Sequence, residues 1–198
     1  MIQYDHSTHT YRRQDGSVVP GVTEILRSLD LSPAYYSPKT LPDGRVVDAA
    51  EFGTAVHEEC FAWERGEARI EDMDTAIQPY VHSYSKWLAM AAPGRRGRVE
   101  FEVAGVYAPV PYAGRCDRLT HYHAERVVDD IKTGGFYKHY LLQIAAYMRL
   151  FNACMGSVVL LQPDGTMPKV HHINRTDPAY ETWLACARLW HWTHGERT

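Results

Sequence analysis

The sequence predicts an α/β fold in which a central mixed sheet is flanked by helices. The main reason is that segments with apolar residues at helical spacing alternate with short segments rich in branched and aromatic residues. Along the 198 residues these patterns predict the order α, α, β, β, β, α, β, β, α, which is typical of helices packed on a sheet. The composition agrees, because 45% hydrophobic and 23% charged residues are usual for a globular protein.

The N-terminal half is predicted to be mainly helical after an initial hairpin. A polar hairpin is expected within 1–20, a short helix over 22–29, and a loop or lid over 30–48, where proline and glycine are frequent. Apolar residues at helical spacing then predict a long helix over 49–65. A second long helix is expected after Asp74, a residue type that commonly caps helices.

The C-terminal half is predicted to supply most of the sheet. Three short strands are expected at 99–103, 111–119 and 125–132. They are followed by a helix over 137–152 that is apolar almost all round, a hairpin over 157–173 and a last helix from Asp177 onward. We therefore predict that 1–198 form one domain. Its core is expected over 49–154, between an N-terminal part, 1–48, and a C-terminal hairpin and helix, 155–198.

Charge and cysteine content argue against several classes of protein. The net charge of −3 does not demand a polyanionic partner, although a local basic surface can still attract one. The four cysteines are scattered without a C-x-x-C pair, which disfavours a zinc ribbon, an iron–sulfur cluster or a disulfide framework. No apolar run approaches the roughly 20 residues that cross a bilayer, and the polar N-terminus lacks an apolar signal region. We expect a cytoplasmic protein without membrane contact.

The most informative stretch is VVDDIKTG, residues 127–134. Alternate side chains of a strand share a face, so Asp130 and Lys132 point to the same side while Ile131 points into the core. A carboxylate and an ammonium held side by side at a strand end are costly unless a function uses them. An isolated D-x-K pattern is most often a surface ion pair, so its interpretation depends on the rest of the chain.

Four other residues occur at spacings that suit a site around this pair. They are His57 on the first long helix, Asp117 on the preceding strand, and Gln143 and Tyr147 on the following helix. Gln143 and Tyr147 are four residues apart and share a helix face. Each has an ordinary alternative: Asp117 can pair with a neighbouring surface arginine, and His57 can be a structural histidine. The two helix residues can be packing residues with a polar end.

Together these residues resemble the PD-(D/E)XK nuclease superfamily, and more closely its RecB-like exonuclease branch, which includes phage and recombination nucleases. The matching stretches are PGVTEIL, GTAVHEE, YAGRCDRL, VVDDIKTG and LLQIAAYM. The resemblance implies a restriction-endonuclease-like core that hydrolyses DNA at linear single- or double-stranded ends, with a recombination protein as a partner. It also implies Mg²⁺ or Mn²⁺ as the cofactor. The iron–sulfur cluster of the CRISPR-associated members is not expected, because only Cys186 follows the last strand, and the absence of a P-loop argues against a nucleotide cofactor.

The resemblance further implies a role for each residue. The expected metal ligands are His57, Asp117, Asp130 and the backbone carbonyl of Ile131. Lys132 would orient or deprotonate the attacking water, while Gln143 and Tyr147 would steady the site and the DNA backbone. Independently, carboxylates suit a hard divalent ion that neutralises charge on phosphate, and a histidine ligand tilts the preference toward manganese.

Localised cations are expected to guide DNA to this site. The candidates in the basic loop GRRGR and at the start of the Gln143 helix are Arg95, Arg96, Arg98, Lys138 and His139. The start of that helix also offers backbone N–H groups to a phosphate. The alternative for the loop is a solvated segment that binds nothing. Glu100 and Glu102 share one strand face, and the sequence does not decide whether either contacts the metal.

Two other functions remain open at this point. One is a degenerate nuclease fold that binds DNA or a protein without cutting, although such a member would often have lost the set of Asp117, Asp130 and Lys132. The other is a metal hydrolase of the same fold that acts on a small phosphate or a nucleic-acid cap. A digestion assay on linear and nicked circular DNA would separate them.

Overall fold

A computed structural model of the protein describes residues 2–5, 8, 10–31, 38–91, 98–107, 109–122 and 125–194. In chain order, the elements are β1 (Ile2–Asp5), β2 (Thr10–Arg13), β3 (Val18–Val19), α1 (Val22–Ser28), β4 (Pro38–Thr40), β5 (Val46–Asp48), α2 (Ala49–Glu64), α3 (Gln78–Ala91), β6 (Arg98–Tyr107), β7 (Tyr112–Tyr122), β8 (Glu125–Lys132), α4 (His139–Leu150), β9 (Met155–Leu160), β10 (Lys169–Asn174) and α5 (Pro178–His194). Within these ranges, no helix combines the length and apolar character needed to cross a membrane.

Five strands form the central sheet in the order β10, β9, β8, β7, β6. Neighbouring strands run antiparallel, except that β8 and β9 are parallel. Antiparallel strands can be joined by tight turns, whereas a parallel pair needs a crossover connection, and α4 provides it here. The sheet is therefore mixed because a helix separates β8 from β9 in the chain.

Helices cover both faces of this sheet. Val158 of β9 packs among residues of α1, α4 and α5, whereas its neighbour Val159 packs among residues of α2 and α3. Consecutive strand residues point to opposite faces, so a strand covered on both sides has a continuous run of apolar residues. The predicted α/β class, with a central mixed sheet flanked by helices, is confirmed.

The N-terminal strands β1, β2 and β3 form a small sheet that is attached to β7. The backbone N–H of Ala113 donates to the carbonyl of Pro20 at 2.9 Å. The side chains of Tyr11 and Val19 are buried with Ala113. This small sheet therefore packs at the start of the strand that carries the first predicted aspartate.

Two element predictions need correction. The range 30–48 is not simply a loop, because β4 and β5 pair as a hairpin within it, while residues 32–37 lie outside the described part of the chain. The strand predicted over 99–103 continues to Tyr107, which pairs with Tyr112 of β7. In both cases the pairing partner, rather than the local pattern, determines where the strand ends.

Candidate active site

The strands β7 and β8 bring the two predicted aspartates together. Arg118 of β7 pairs with Asp129 of β8, so the residues one step along, Asp117 and Asp130, point to the opposite face of the sheet. Oδ2 of Asp117 accepts a hydrogen bond from the backbone N–H of Ile131 at 2.7 Å. This bond fixes the Asp117 carboxylate beside the D-x-K segment.

The Lys132 ammonium lies beside Asp130, as strand alternation predicts. Its Nζ is 2.7 Å from Oδ2 of Asp130, and the two side chains are 19% and 2% exposed. Ile131, between them, is buried against the side chains of α2 and α3. The pair is largely withdrawn from water, so it is not the surface ion pair that this pattern most often forms.

Helix α2 adds His57 to this group. Asp48 caps the helix by accepting hydrogen bonds from first-turn backbone N–H groups at 2.8 and 3.0 Å. Nδ1 of His57 lies 3.7 Å from Oδ1 of Asp117. Burial, and then the charge of Lys132, lower the pKa of His57 to about 4, while a hydrogen bond to the Ile131 backbone acts in the opposite direction. At pH 7 the imidazole is neutral, which is the form that binds metals.

Both aspartates are harder to ionise than usual. Burial is the main cause: it raises the pKa of Asp130 to about 6 and also raises the pKa of Asp117. Lys132 opposes burial at both groups, and the charge of Asp117 adds to the effect of burial on Asp130. The effect of burial thus outweighs the charge of Lys132 at both carboxylates, and a further positive charge at this position would favour their ionised forms.

Glu102 is an acidic residue that the structure brings next to this group. It lies opposite Asp117 in the β6–β7 ladder, between paired residues on either side. Its φ of 51° falls in the left-handed region, which costs a non-glycine residue on the order of 1–3 kcal/mol and is often found at functional sites. Its charge disfavours ionisation of Asp117 and favours protonation of His57. Arg115 partly balances it, with Nη2 3.4 Å from Oε1 of Glu102.

Glu100 is the other glutamate for which the sequence did not decide a metal contact, and it lies in different surroundings. Its Oε1 lies 3.0 Å from Nε2 of His121, toward the far end of β7 from Asp117. Of the two glutamates, the structure therefore places Glu102 at the candidate site. The sequence contains no signal for this choice, since both residues share one face of β6 in a regular strand.

Helix α4 contributes Gln143 and Tyr147 as a bonded pair. Nε2 of Gln143 donates to the Tyr147 hydroxyl at 2.9 Å, and the residues are 7% and 5% exposed. Burial, and then the charge of Asp130, raise the pKa of Tyr147 well above its usual value. The Tyr147 ring packs on Gly114, where an added Cβ would lie 2.8 Å from Cε1. The glycine of the G-x-x-D strand therefore makes room for the tyrosine. The predicted contact of this pair with DNA stays a prediction, and its burial favours a supporting role behind the aspartates.

The predicted DNA-binding cations fall into three groups. Lys138 is exposed at the N-cap of α4. His139 is 7% exposed and burial lowers its pKa, which favours its neutral form, and its role in DNA binding stays a prediction. Arg95 and Arg96 lie outside the described residues, and Arg98 begins β6 with only its backbone described.

The set of possible metal-donor groups at this site is chemically suited to a hard divalent cation. It comprises two carboxylates, a neutral imidazole and a backbone carbonyl, which are ligands for Mg²⁺ or Mn²⁺. Among the residues that the structure describes, no three His, Cys, Asp or Glu side chains converge closely enough to bind an ion as they stand. The positive charge beside Asp130 is Lys132. The residues therefore fit such an ion provided that Asp130 exchanges the ammonium for it.

Comparison with known proteins gives similarity at the level of structure alone. No protein-family profile and no curated protein matches the chain. A provisionally assigned exonuclease from Eubacterium rectale is 12% identical, with 88% of this chain and 74% of that one covered and a TM-score of 0.46. An alkaline exonuclease from Laribacter hongkongensis is 14% identical, with 71% of this chain and 78% of that one covered and a TM-score of 0.44. A phage-related exonuclease from Haemophilus somnus 129PT is 11% identical, with 87% of this chain and 92% of that one covered and a TM-score of 0.40. The role of each residue rests on the geometry of this chain.

Proposed function

We propose that this chain is a divalent-metal-dependent deoxyribonuclease of the PD-(D/E)XK superfamily, acting as an exonuclease of the RecB-like, phage-type branch. The observation that supports this proposal most directly is one cluster built from a helix and two strands. Asp117 is bonded to the backbone of the D-x-K segment and lies 3.7 Å from His57. Lys132 lies 2.7 Å from Asp130 in the same cluster. Residues far apart in sequence thus form one group of two carboxylates, an imidazole and an ammonium.

The residues that would hold the metal are His57, Asp117, Asp130 and the Ile131 carbonyl. When bound, Mg²⁺ or Mn²⁺ would offset charge on the phosphate oxygens and lower the pKa of a bound water. The N–H of Ile131 already orients the Asp117 carboxylate. Neutral His57 offers a ring nitrogen without having to lose a proton at pH 7. Glu102, opposite Asp117, is a further candidate for the acidic wall of this site.

Lys132 would supply the mobile positive charge of the reaction. Its Nζ donates toward Asp130 in the absence of substrate, and it can turn to donate to a water or a phosphate oxygen. There it would orient the attacking water and offset the negative charge that develops on the phosphoryl group. Hydrolysis adds the water oxygen to phosphorus, breaks the bond to the leaving sugar oxygen and returns a proton to that oxygen. The buried pair of Gln143 and Tyr147 would keep the Asp130 side of the site in place.

The proposal is tested by digestion of linear, nicked circular and covalently closed circular DNA with Mg²⁺, with Mn²⁺ and with EDTA. An exonuclease degrades the linear DNA, leaves the closed circle intact and is inactive in EDTA. Asp117→Asn and Lys132→Ala should each lower the rate at least about 100-fold, because each removes a group that stabilises the transition state. Both variants should keep the circular dichroism spectrum of the wild type.

A matched control is Glu58→Gln, an exposed carboxylate on α2 next to His57. It should cleave at the wild-type rate. Near wild-type cleavage by Asp117→Asn or Lys132→Ala would show that the site is wrongly assigned. DNA binding by the wild type without any metal-dependent cleavage would instead identify the chain as a binding module built on a nuclease fold.

A further inference from the structure

The segment between β8 and α4 exposes two aromatic side chains next to the proposed active site. Phe136 is 39% exposed and Tyr137 47% exposed, directly after Gly134 and Gly135. A large aromatic ring left in water forgoes hydrophobic stabilisation. Single exposed aromatics are nevertheless common on protein surfaces, so exposure alone identifies no site, and the arrangement of the rings is what distinguishes this pair.

The two exposed rings rest on a fixed support. Phe136 stacks on His171, with centroids 4.0 Å apart and planes inclined by 22°. Tyr140 underlies both exposed rings, meeting Tyr137 edge to face at 5.6 Å and Phe136 at 6.4 Å. Tyr140 itself is 4% exposed. Since the rings are already held in place, a planar ligand that stacks on them loses little additional side-chain entropy.

This aromatic cluster adjoins the residues proposed to act on phosphate. Nζ of Lys132 lies 5.0 Å from the centroid of the Tyr140 ring. The exposed Lys138 follows Tyr137 directly in the chain. Surfaces that bind single-stranded nucleic acid combine cations for the backbone with aromatic rings for successive bases. The segment therefore has both kinds of group, one ring away from the lysine of the D-x-K segment.

We propose that Phe136 and Tyr137 form a stacking platform for unpaired nucleobases. The preferred substrate of this site is then a single strand, or a DNA end whose terminal bases are unpaired, because bases within a duplex have no free face to stack on the platform. This inference rests on the proposed nuclease function, which identifies the ligand beside the site as nucleic acid. Rings that served a protein partner would leave DNA binding independent of Phe136 and Tyr137.

Binding of an oligothymidine of roughly 12 nucleotides, compared with an abasic strand of the same length, isolates stacking from phosphate binding. Fluorescence anisotropy in EDTA measures both affinities without cleavage. Phe136→Ala and Tyr137→Ala should each weaken binding of the oligothymidine by about 5- to 100-fold. Neither should change binding of the abasic strand, which offers only phosphates and sugars. Phe136→Trp should restore binding of the oligothymidine.

Two control variants sharpen this comparison. Trp192→Ala removes a ring that is 77% exposed on α5 and should change neither affinity. Lys138→Ala should weaken both strands equally, since it removes a cation that binds phosphate. The platform is refuted if Phe136→Ala and Tyr137→Ala leave oligothymidine binding unchanged, or weaken the abasic strand as much. Metal-dependent digestion by the same wild-type preparation reports separately on the nuclease function, so failure of the platform and failure of the nuclease proposal give different results.

Discussion

Asp130 is a buried carboxylate that takes up a proton at a higher pH than an ordinary aspartate. Its side chain is 2% exposed, and burial raises its pKa to about 6, against about 3.9 for an unfolded aspartate. Between these values the folded protein holds a proton that the unfolded chain has released. The contribution of Asp130 to stability is therefore present at low pH and is lost as the pH rises through 6.

Asp130→Asn should remove this pH dependence in the metal-free protein. In EDTA, the unfolding free energy of the wild type should rise relative to that of the variant by roughly 1 kcal/mol between pH 7 and pH 5. Urea denaturation of both proteins at both pH values measures the change, and the effect of His57, which is present in both, largely cancels. A difference between the two proteins that stays constant with pH would contradict the raised pKa.

Glu102 is the residue for which the structure adds most to the sequence. If its carboxylate belongs to the metal site, Glu102→Gln should lower the affinity for Mn²⁺ by about 10- to 100-fold, the usual effect of losing a supporting group around a metal. Glu100→Gln is the matched control, because it makes the same change on the same strand beside His121, and it should leave the affinity within about twofold. Isothermal titration with Mn²⁺ compares them. Equal losses in both variants would exclude a specific role for Glu102.

At this scale, strand alternation is sufficient to place Asp130 and Lys132 on one face, because the period of two is a property of the backbone itself. The distance between His57 and Asp117 is not contained in either local pattern, since it depends on how α2 packs on the sheet. The choice of Glu102 over Glu100 depends on the register of β6 and β7, which places Glu102 opposite Asp117 and which no residue type nearby indicates. The burial of His139 against Tyr137 and Tyr140 could not be read from the sequence, because a histidine at the start of a helix can point to solvent or to its neighbours.

At the scale of elements, a buried charged cluster ties α2 to β7 and β8 on the face opposite the two aspartates of the site. Arg118 is 2% exposed and binds Glu64 of α2 at 2.8 Å and Asp129 of β8 at 3.4 Å. Tyr84 of α3 also donates to Glu64. The elements that carry the proposed metal ligands are thus joined through one guanidinium.

Arg118→Met should destabilise the fold by about 3–5 kcal/mol, because it leaves the buried Asp129 and the partly buried Glu64 without their counter-charge. Urea denaturation measures the loss. Arg69→Met is the control, since Arg69 is 78% exposed in its ion pair with Glu71, and it should change stability by less than about 1 kcal/mol. A loss below about 1 kcal/mol in Arg118→Met would show that the cluster does not hold the elements together.

Long periodic elements could be predicted because their own side chains specify them: α2 and α5 each bury a stripe of their own residues. The hairpin of β4 and β5 could not, since each strand is only three residues long and exists through its pairing. The buried cluster around Arg118 could not be predicted from the sequence either. An arginine beside an aspartate indicates a surface pair, and only the packing of α2 and α3 over the sheet buries it.

At the scale of the whole molecule, the proposed nuclease function would require an acidic protein to draw a polyanion to a site that itself contains carboxylates. The net charge is −3, so long-range attraction has to come from localised cations, whose field is felt within about 10 Å at moderate salt. Lys138 is exposed at the start of α4. The sequence adds Arg95, Arg96 and Arg98, for which the structure describes only the backbone of Arg98 in β6.

Replacing Arg95, Arg96 and Arg98 by alanine should weaken DNA binding across all sequences. It should also flatten the salt dependence of DNA binding, by roughly one unit of log–log slope for each phosphate that the variant no longer binds. Metal affinity should not change. A triple variant of the exposed residues Arg27, Arg69 and Arg188 alters the net charge equally, so it separates local binding from total charge. If both triple variants flatten the slope alike, the total charge governs binding. If the loop variant leaves the slope unchanged, the DNA reaches the site along another surface.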